Sequence, residues 1–150
     1  MFKHILVPVD DSPRALKAAK AAAGLAKPMH ARLTLLHVIA PFEPPAYDIE
    51  VLPYPEIYSP SEYKKRTERH AKALLERMTR AIARIGRVRT AGTFMTSGDP
   101  WRAIIKAARA KRCDAVVMAS HGRRGIAAVV LGSETTKVLT HSKVPVLVVR

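Results

Sequence analysis

At 150 residues and 48% hydrophobic content, the chain has the size of one domain, spanning residues 1–150, with enough apolar material for a sizeable core. A formal net charge of +14 raises nucleic acid or another polyanion as a partner, whereas the lack of any run of about 18 apolar residues argues against membrane insertion. The lone cysteine, Cys113, excludes an internal disulfide, and Met1 leads straight into a strand-like segment in place of a signal peptide, so a soluble cytoplasmic protein beginning near Met1 is expected.

Phe2 to Val9 is rich in Ile, Leu and Val and nearly continuous in apolar character from Ile5, as a strand covered on both faces requires. Ser12 then offers an N-cap hydroxyl and Pro13 a first helical residue, followed by Ala15, Ala19, Ala22 and Ala26 at helical spacing; this helix is expected to stop before Pro28. Leu33 to Ile39 reads as a second strand, completing a right-handed β-α-β unit in which the small helix residues permit close packing on the sheet.

Residues 41–60 hold six prolines and three tyrosines, a composition unsuited to a helix interior or central strand, and are expected to form a variable loop. This stretch carries Glu43, Asp48, Glu50 and Glu56 with no Lys or Arg, so the other 130 residues hold 26 basic against 8 acidic groups, a net of +18. From Ser61, Ala71, Leu74, Leu75, Met78, Ile82 and Ile85 mark an amphipathic helix of about 25 residues. Its other side and the following turn carry Lys64, Lys65, Arg66, Arg69, Lys72, Arg77, Arg80, Arg84, Arg87 and Arg89.

Thr90 to Thr96 reads as a third strand, Pro100 to Ala110 as a helix, Ala115 to Met118 as a fourth strand and Val144 to Val149 as a fifth. Alternating strands and helices imply an open, mainly parallel five-stranded α/β sheet with helices on both faces, whose ligands bind beyond the carboxyl ends of the strands. Cys113 opens the apolar run to Met118 and reads as a small hydrophobe, Trp101 as a packing residue, and His37 as a core or strand-end histidine. His4, His30, His37, His70 and His141 show no metal-ligand spacing with one another or with Cys113, so no metal site is proposed among them.

The most specific local pattern is Met118-Ala119-Ser120-His121-Gly122, nine residues to Leu131, then Gly132-Ser133. Gly122 and Gly132 can take φ > 0 and let backbone N–H groups approach an anion, while Ser133 ahead of a helical run is read as its N-cap at a positive helix end. With the opening Ile5 to Ser12, Leu36-His37-Val38, the Ser97-Gly98-Asp99-Pro100 turn and the closing Pro145 to Val149, this segment resembles the universal stress protein family in content and order. The family's first loop glycine corresponds to Ala119, and Gly125 does not replace it, because counting from Gly125 leaves six residues before Gly132. If that position has φ > 0 the alanine is strained, and if φ < 0 it adds only a methyl group.

The resemblance implies a Rossmann-like fold of the adenine nucleotide alpha hydrolase type and a stress-response regulatory module. Its ligand would be ATP or a related adenine nucleotide, with Mg accompanying a bound triphosphate. It also implies a homodimer with Val144 to Val149 near the two-fold axis. Residue by residue, it assigns Pro8 and Val9 to the adenine, Asp10 to the ribose, Val38 backbone groups to the base, and Met118, Ala119, Ser120, His121, Gly122, Arg123, Gly132, Ser133 and Glu134 to the phosphate side.

Other readings of the same residues stand beside these. Asp10-Asp11-Ser12 can serve only to cap the first helix, and Arg123 and Arg124 can be solvated loop residues instead of phosphate ligands. With no nucleophile or carboxylate placed beside it, His121 reads as a loop-shaping residue, which leaves slow ATP hydrolysis as the most enzymatic role implied by the resemblance. The alternative functions are a non-nucleotide homodimeric interaction protein and, less favoured, nucleic-acid binding by the cationic helix, which lacks interleaved aromatics.

Overall fold

A computed structural model describes residues 1–43, 59–121 and 131–150. The elements are β1 (His4–Pro8), α1 (Pro13–Met29), β2 (Arg32–Ile39), α2 (Pro60–Ala83), β3 (Thr90–Thr96), α3 (Pro100–Ala110), β4 (Ala115–Ala119), α4 (Ser133–His141) and β5 (Val146–Val149). All described pairings are parallel and the strand order is β3-β2-β1-β4-β5. The proline- and tyrosine-rich stretch lies, apart from its two ends, outside the described residues.

Strand alternation divides the core in two. Ile5, Val7, Leu33, Leu35, Ala115 and Val117 face α1 and α2, while Leu6, Leu36, Val116 and Met118 face α3 and α4. The α1 alanines at 15, 18, 19, 22, 23 and 26 are all buried, so the helix meets the sheet through methyl groups and packs close. The apolar stripe of α2 is buried at Ala71, Leu74, Leu75, Met78 and Ile82, leaving the cationic side in solvent. Cys113 is buried against α3, and burial pushes its thiol up to about 11, so it behaves as an inert hydrophobe.

Several boundaries differ from the sequence reading: β1 is His4–Pro8 inside the expected Phe2–Val9, β2 gains Arg32 and β4 gains Ala119. The first helix runs through Pro28 to Met29, because a proline in the last turn deprives only the carbonyl of exposed Gly24 of its partner, and His30 closes the helix in the left-handed conformation at φ 53°. The fifth strand begins at Val146, since Pro145 contributes only its carbonyl, which accepts from Val116 N–H at 2.9 Å. The second helix starts at Pro60, where Ser59 and Glu62 form a reciprocal capping box.

Candidate functional site

The chain leaves β1 for β2 on one side and β4 for β5 on the other, so the crevice beyond the carboxyl ends of β1 and β4 is the switch point of the sheet. On the β1 side, Pro8 is half-buried and Val9 is buried, with Val9 N–H donating to Leu36 O at 2.8 Å. The next three residues take separate tasks. Asp10 Oδ1 accepts from Ser12 N–H at 3.0 Å in an Asx turn that holds its carboxylate at the crevice. Ser12 Oγ accepts from Ala15 N–H at 3.1 Å and caps α1.

Asp11 turns to α2, accepting from His70 Nε2 at 2.7 Å and Arg77 at 2.9 Å. Burial is the largest influence on its carboxyl and acts to raise it, but the hydrogen bonds and charges of His70 and Arg77 together outweigh burial and hold it below the usual value. The capping reading of Asp10-Asp11-Ser12 therefore belongs to Ser12, and Asp11 is an anchor for α2 that the sequence did not reveal. The His37 imidazole is buried where Nδ1–H donates to Val9 O at 2.9 Å, fixing the end of β1 to β2. Because the Leu36 carbonyl faces β1, backbone alternation turns the N–H and C=O of Val38 to the same side, past the last β1–β2 pair at Pro8 and Leu36.

On the β4 side, Ala119 is the last strand residue, paired with Val149 and 8% exposed. It is not among the positive-φ residues, which outside glycine are His30 and Arg112 among those described, so the alanine carries no left-handed strain and adds only its methyl. Ser120 N–H donates to Val149 O at 2.9 Å, and Ser120 O accepts from Gly132 N–H, also at 2.9 Å. The sequence reading gave His121 no hydroxyl partner, and this is corrected: its buried ring lies 3.2 Å from Ser120 Oγ through Nδ1, a contact that holds the imidazole beside the end of β4.

Gly132 and Ser133 depart from their expected local roles. Gly132 has φ −61° and is itself the N-cap of α4, making Ser133 the first helical residue. A glycine suits the close approach there: a Cβ would stand 3.0 Å from Ser120 O and 3.4 Å from His121 Cα, tighter than ordinary contact. Gly132 has no side chain to cap α4, so among the described residues the first-turn N–H groups beside Ser120 and His121 are presented at a positive helix end.

Thr135, which sequence reasoning missed, locks the two halves together. Its buried Oγ1 donates to Ala119 O at 3.1 Å and shares that proton with Ser120 O at 3.2 Å. The only signal was a β-branched hydroxyl at the third position of a helix after a glycine. Glu134 is directed elsewhere: Oε2 accepts from Trp101 N–H at 2.8 Å, in the first turn of α3, and Oε1 pairs with Lys137 at 3.1 Å. The Met118 side chain packs with α3 and α4, leaving its backbone as the part nearest the crevice. Gly122, Arg123 and Arg124 lie outside the described residues.

The sequence matches the universal stress protein family over residues 1–150. It is 33% identical over 150 residues to a universal stress protein of Thermus aquaticus, covering 100% of both chains. Among solved structures, it is similar to the universal stress protein UspA of Lactobacillus plantarum, with TM-score 0.78 and 27% identity over 99% of this chain and 97% of that one. It shares the fold of a universal stress protein of Archaeoglobus fulgidus solved in complex with dAMP, with TM-score 0.66 and 19% identity over 99% and 98% of the two chains. A full-length family match, a relative matched from end to end and a common sheet topology identify the chain as a member of the universal stress protein family.

Proposed function

We propose that the protein binds ATP or a related adenine nucleotide at the switch-point crevice and acts as a stress-response regulator through a homodimer or another protein partner. The observation carrying this reading is the convergence of the Asp10 turn with the Ser120–Gly132 contact and the start of α4 at its glycine N-cap across one crevice. In this arrangement Pro8 and Val9 line the adenine and Val38 backbone groups meet its edge. Asp10 accepts from ribose hydroxyls, while Ala119, Ser120, His121, Gly132 and Ser133 face the phosphates, with Gly122 and Arg123 completing that side. The dAMP complex of the Archaeoglobus fulgidus protein is an adenine nucleotide on the same fold.

Among the described residues no three His, Cys, Asp or Glu side chains converge as a metal site. The donor set therefore suits Mg carried on a triphosphate, with phosphate oxygens and water as its main ligands, where it would neutralise phosphate charge. No described helix is long and apolar enough to cross a membrane, and a cytoplasmic location is part of the proposal. For the dimer, the free edge of β5 offers backbone groups beside Leu147, which is 46% exposed.

Titration calorimetry with ATP and Mg tests the reading. Saturable binding that Asp10→Ala weakens by about tenfold supports it, in line with the loss of a charge-assisted hydrogen bond. Absence of saturable heat up to millimolar ATP rejects it and leaves the interaction-protein reading.

A further inference from the structure

At the opposite end of the sheet, a cleft of about 450 Å³ is lined by Lys3, His4, His30, Arg32, Arg89, Arg112 and Asp114. The topology assembles it. Lys3 precedes β1, Arg32 opens β2, Arg89 precedes β3 and Asp114 precedes β4. Backbone bonds from Arg32 N–H to Lys3 O at 3.0 Å and from Leu33 N–H to Arg89 O at 2.8 Å bring the three strand starts side by side.

Asp114 is already engaged, with its two oxygens accepting from Lys3 N–H at 2.8 Å and His4 N–H at 3.0 Å. Among the described residues, none of Lys3, His30, Arg32, Arg89 or Arg112 takes part in an ion pair. Helix carboxyl ends attract cations, and α1 and α3 both end here, but each amounts to only about half a negative charge. Four permanent cations less one carboxylate and two such helix ends leave about two positive charges unanswered.

Two further observations separate this cleft from an ordinary solvated surface. His30 and Arg112 hold φ of 53° and 52°, the left-handed conformation that glycine fills most easily, and both of these strained positions send a side chain to the lining. His4, 6% exposed, spends Nε2 on Thr34 Oγ1 at 2.8 Å, while its buried Nδ1 makes no hydrogen bond. The Lys111 carbonyl lies near enough to favour the charged ring without satisfying hydrogen-bond geometry, whereas burial first and the Arg32 charge second push the imidazole below its ordinary value.

We propose that this cleft is an anion site, separate from the switch-point crevice, for a compact ligand carrying two or more phosphate groups. Its volume exceeds the needs of a single phosphate and lies in the range of small-ligand sites. The guanidinium groups of Arg32, Arg89 and Arg112 supply planar paired donors suited to phosphate oxygens.

The test is a residue-resolved NMR titration of the full chain with sodium tripolyphosphate at low salt. Saturable amide shifts at Lys3, His4, Arg32, Arg89, Arg112 and Asp114 are expected. Arg112→Gly, which relieves the left-handed backbone, is expected to weaken binding about tenfold while leaving the melting temperature equal or higher. Paired Arg32→Gln and Arg89→Gln changes should weaken binding further, whereas Lys64→Gln with Lys65→Gln on α2 should not affect it. Shifts confined to residues 119–121 and 131–135 overturn the proposal. So do an equal loss in the α2 control, orthophosphate binding as tightly as tripolyphosphate, and failure to saturate at millimolar ligand.

Discussion

Replacing Ala119 with glycine tests how the β4 end has absorbed the residue at the family's glycine position. Ala119 ends a strand with φ outside the left-handed region, its side chain is buried, and its carbonyl receives the Thr135 hydroxyl. Ala119→Gly therefore relieves no strain. It frees the unfolded backbone, at a cost of about 0.5–1 kcal/mol, and removes a buried methyl worth about 0.8 kcal/mol. The total of about 1.5 kcal/mol lowers the melting temperature by about 3–6 °C for a chain of this size. Differential scanning calorimetry reads this directly, and an unchanged or raised melting temperature would refute the strain-free placement. On the proposed function, ATP affinity in the same variant stays within about threefold, under 1 kcal/mol. Binding that emerges only in Ala119→Gly would show that the methyl closes the crevice and would end the nucleotide reading of the natural chain.

Thr135→Val keeps the shape but removes the hydroxyl proton that the Ala119 and Ser120 carbonyls share, leaving Ser120 O with Gly132 N–H alone, so urea denaturation is expected to show a loss of about 1–2 kcal/mol. Gly132→Ala places a Cβ 3.0 Å from Ser120 O, and the forced separation of α4 from β4 is expected to cost about 1–3 kcal/mol with weaker ATP binding. Because His4 has a lowered folded pKa, the unfolded chain binds the extra proton first. Its contribution to stability is complete above about 6.5 and is lost as pH falls from there through the folded value. His4→Gln is expected to flatten the fall of melting temperature in that window, and an unaltered pH profile would remove His4 as its source.

The fold was legible because its causes are local and periodic. The apolar run from Ile5, the alanine spacing of α1 and the one-sided pattern of α2 each require their element whatever lies across the core. Strand and helix alternation then leaves few arrangements, and the parallel sheet follows. Pro28 misled because its position in the last turn depends on where the chain closes the helix, which His30 decides three-dimensionally.

The candidate crevice was legible only in part. Asp10 and the glycine-serine segment stand out in the chain, yet the division of labour among Asp10, Asp11 and Ser12 depends on the approach of His70 and Arg77 from 59 and 66 residues away. Whether Ala119 is strained is a question of φ, which sequence leaves open and the β4–β5 pairing settles. Glu134 reads as part of the phosphate segment until the start of α3 is seen to take its carboxylate. The basic cleft has no sequence signature at all, because Lys3, Arg32, Arg89 and Arg112 are scattered along the chain and become neighbours only when parallel strands align their amino ends. Sequence alone thus determined the family, the elements and the spacing of the glycine-bounded segment. Tertiary structure decided which polar groups hold the fold and which face a ligand, since that choice depends on partners far apart in the chain.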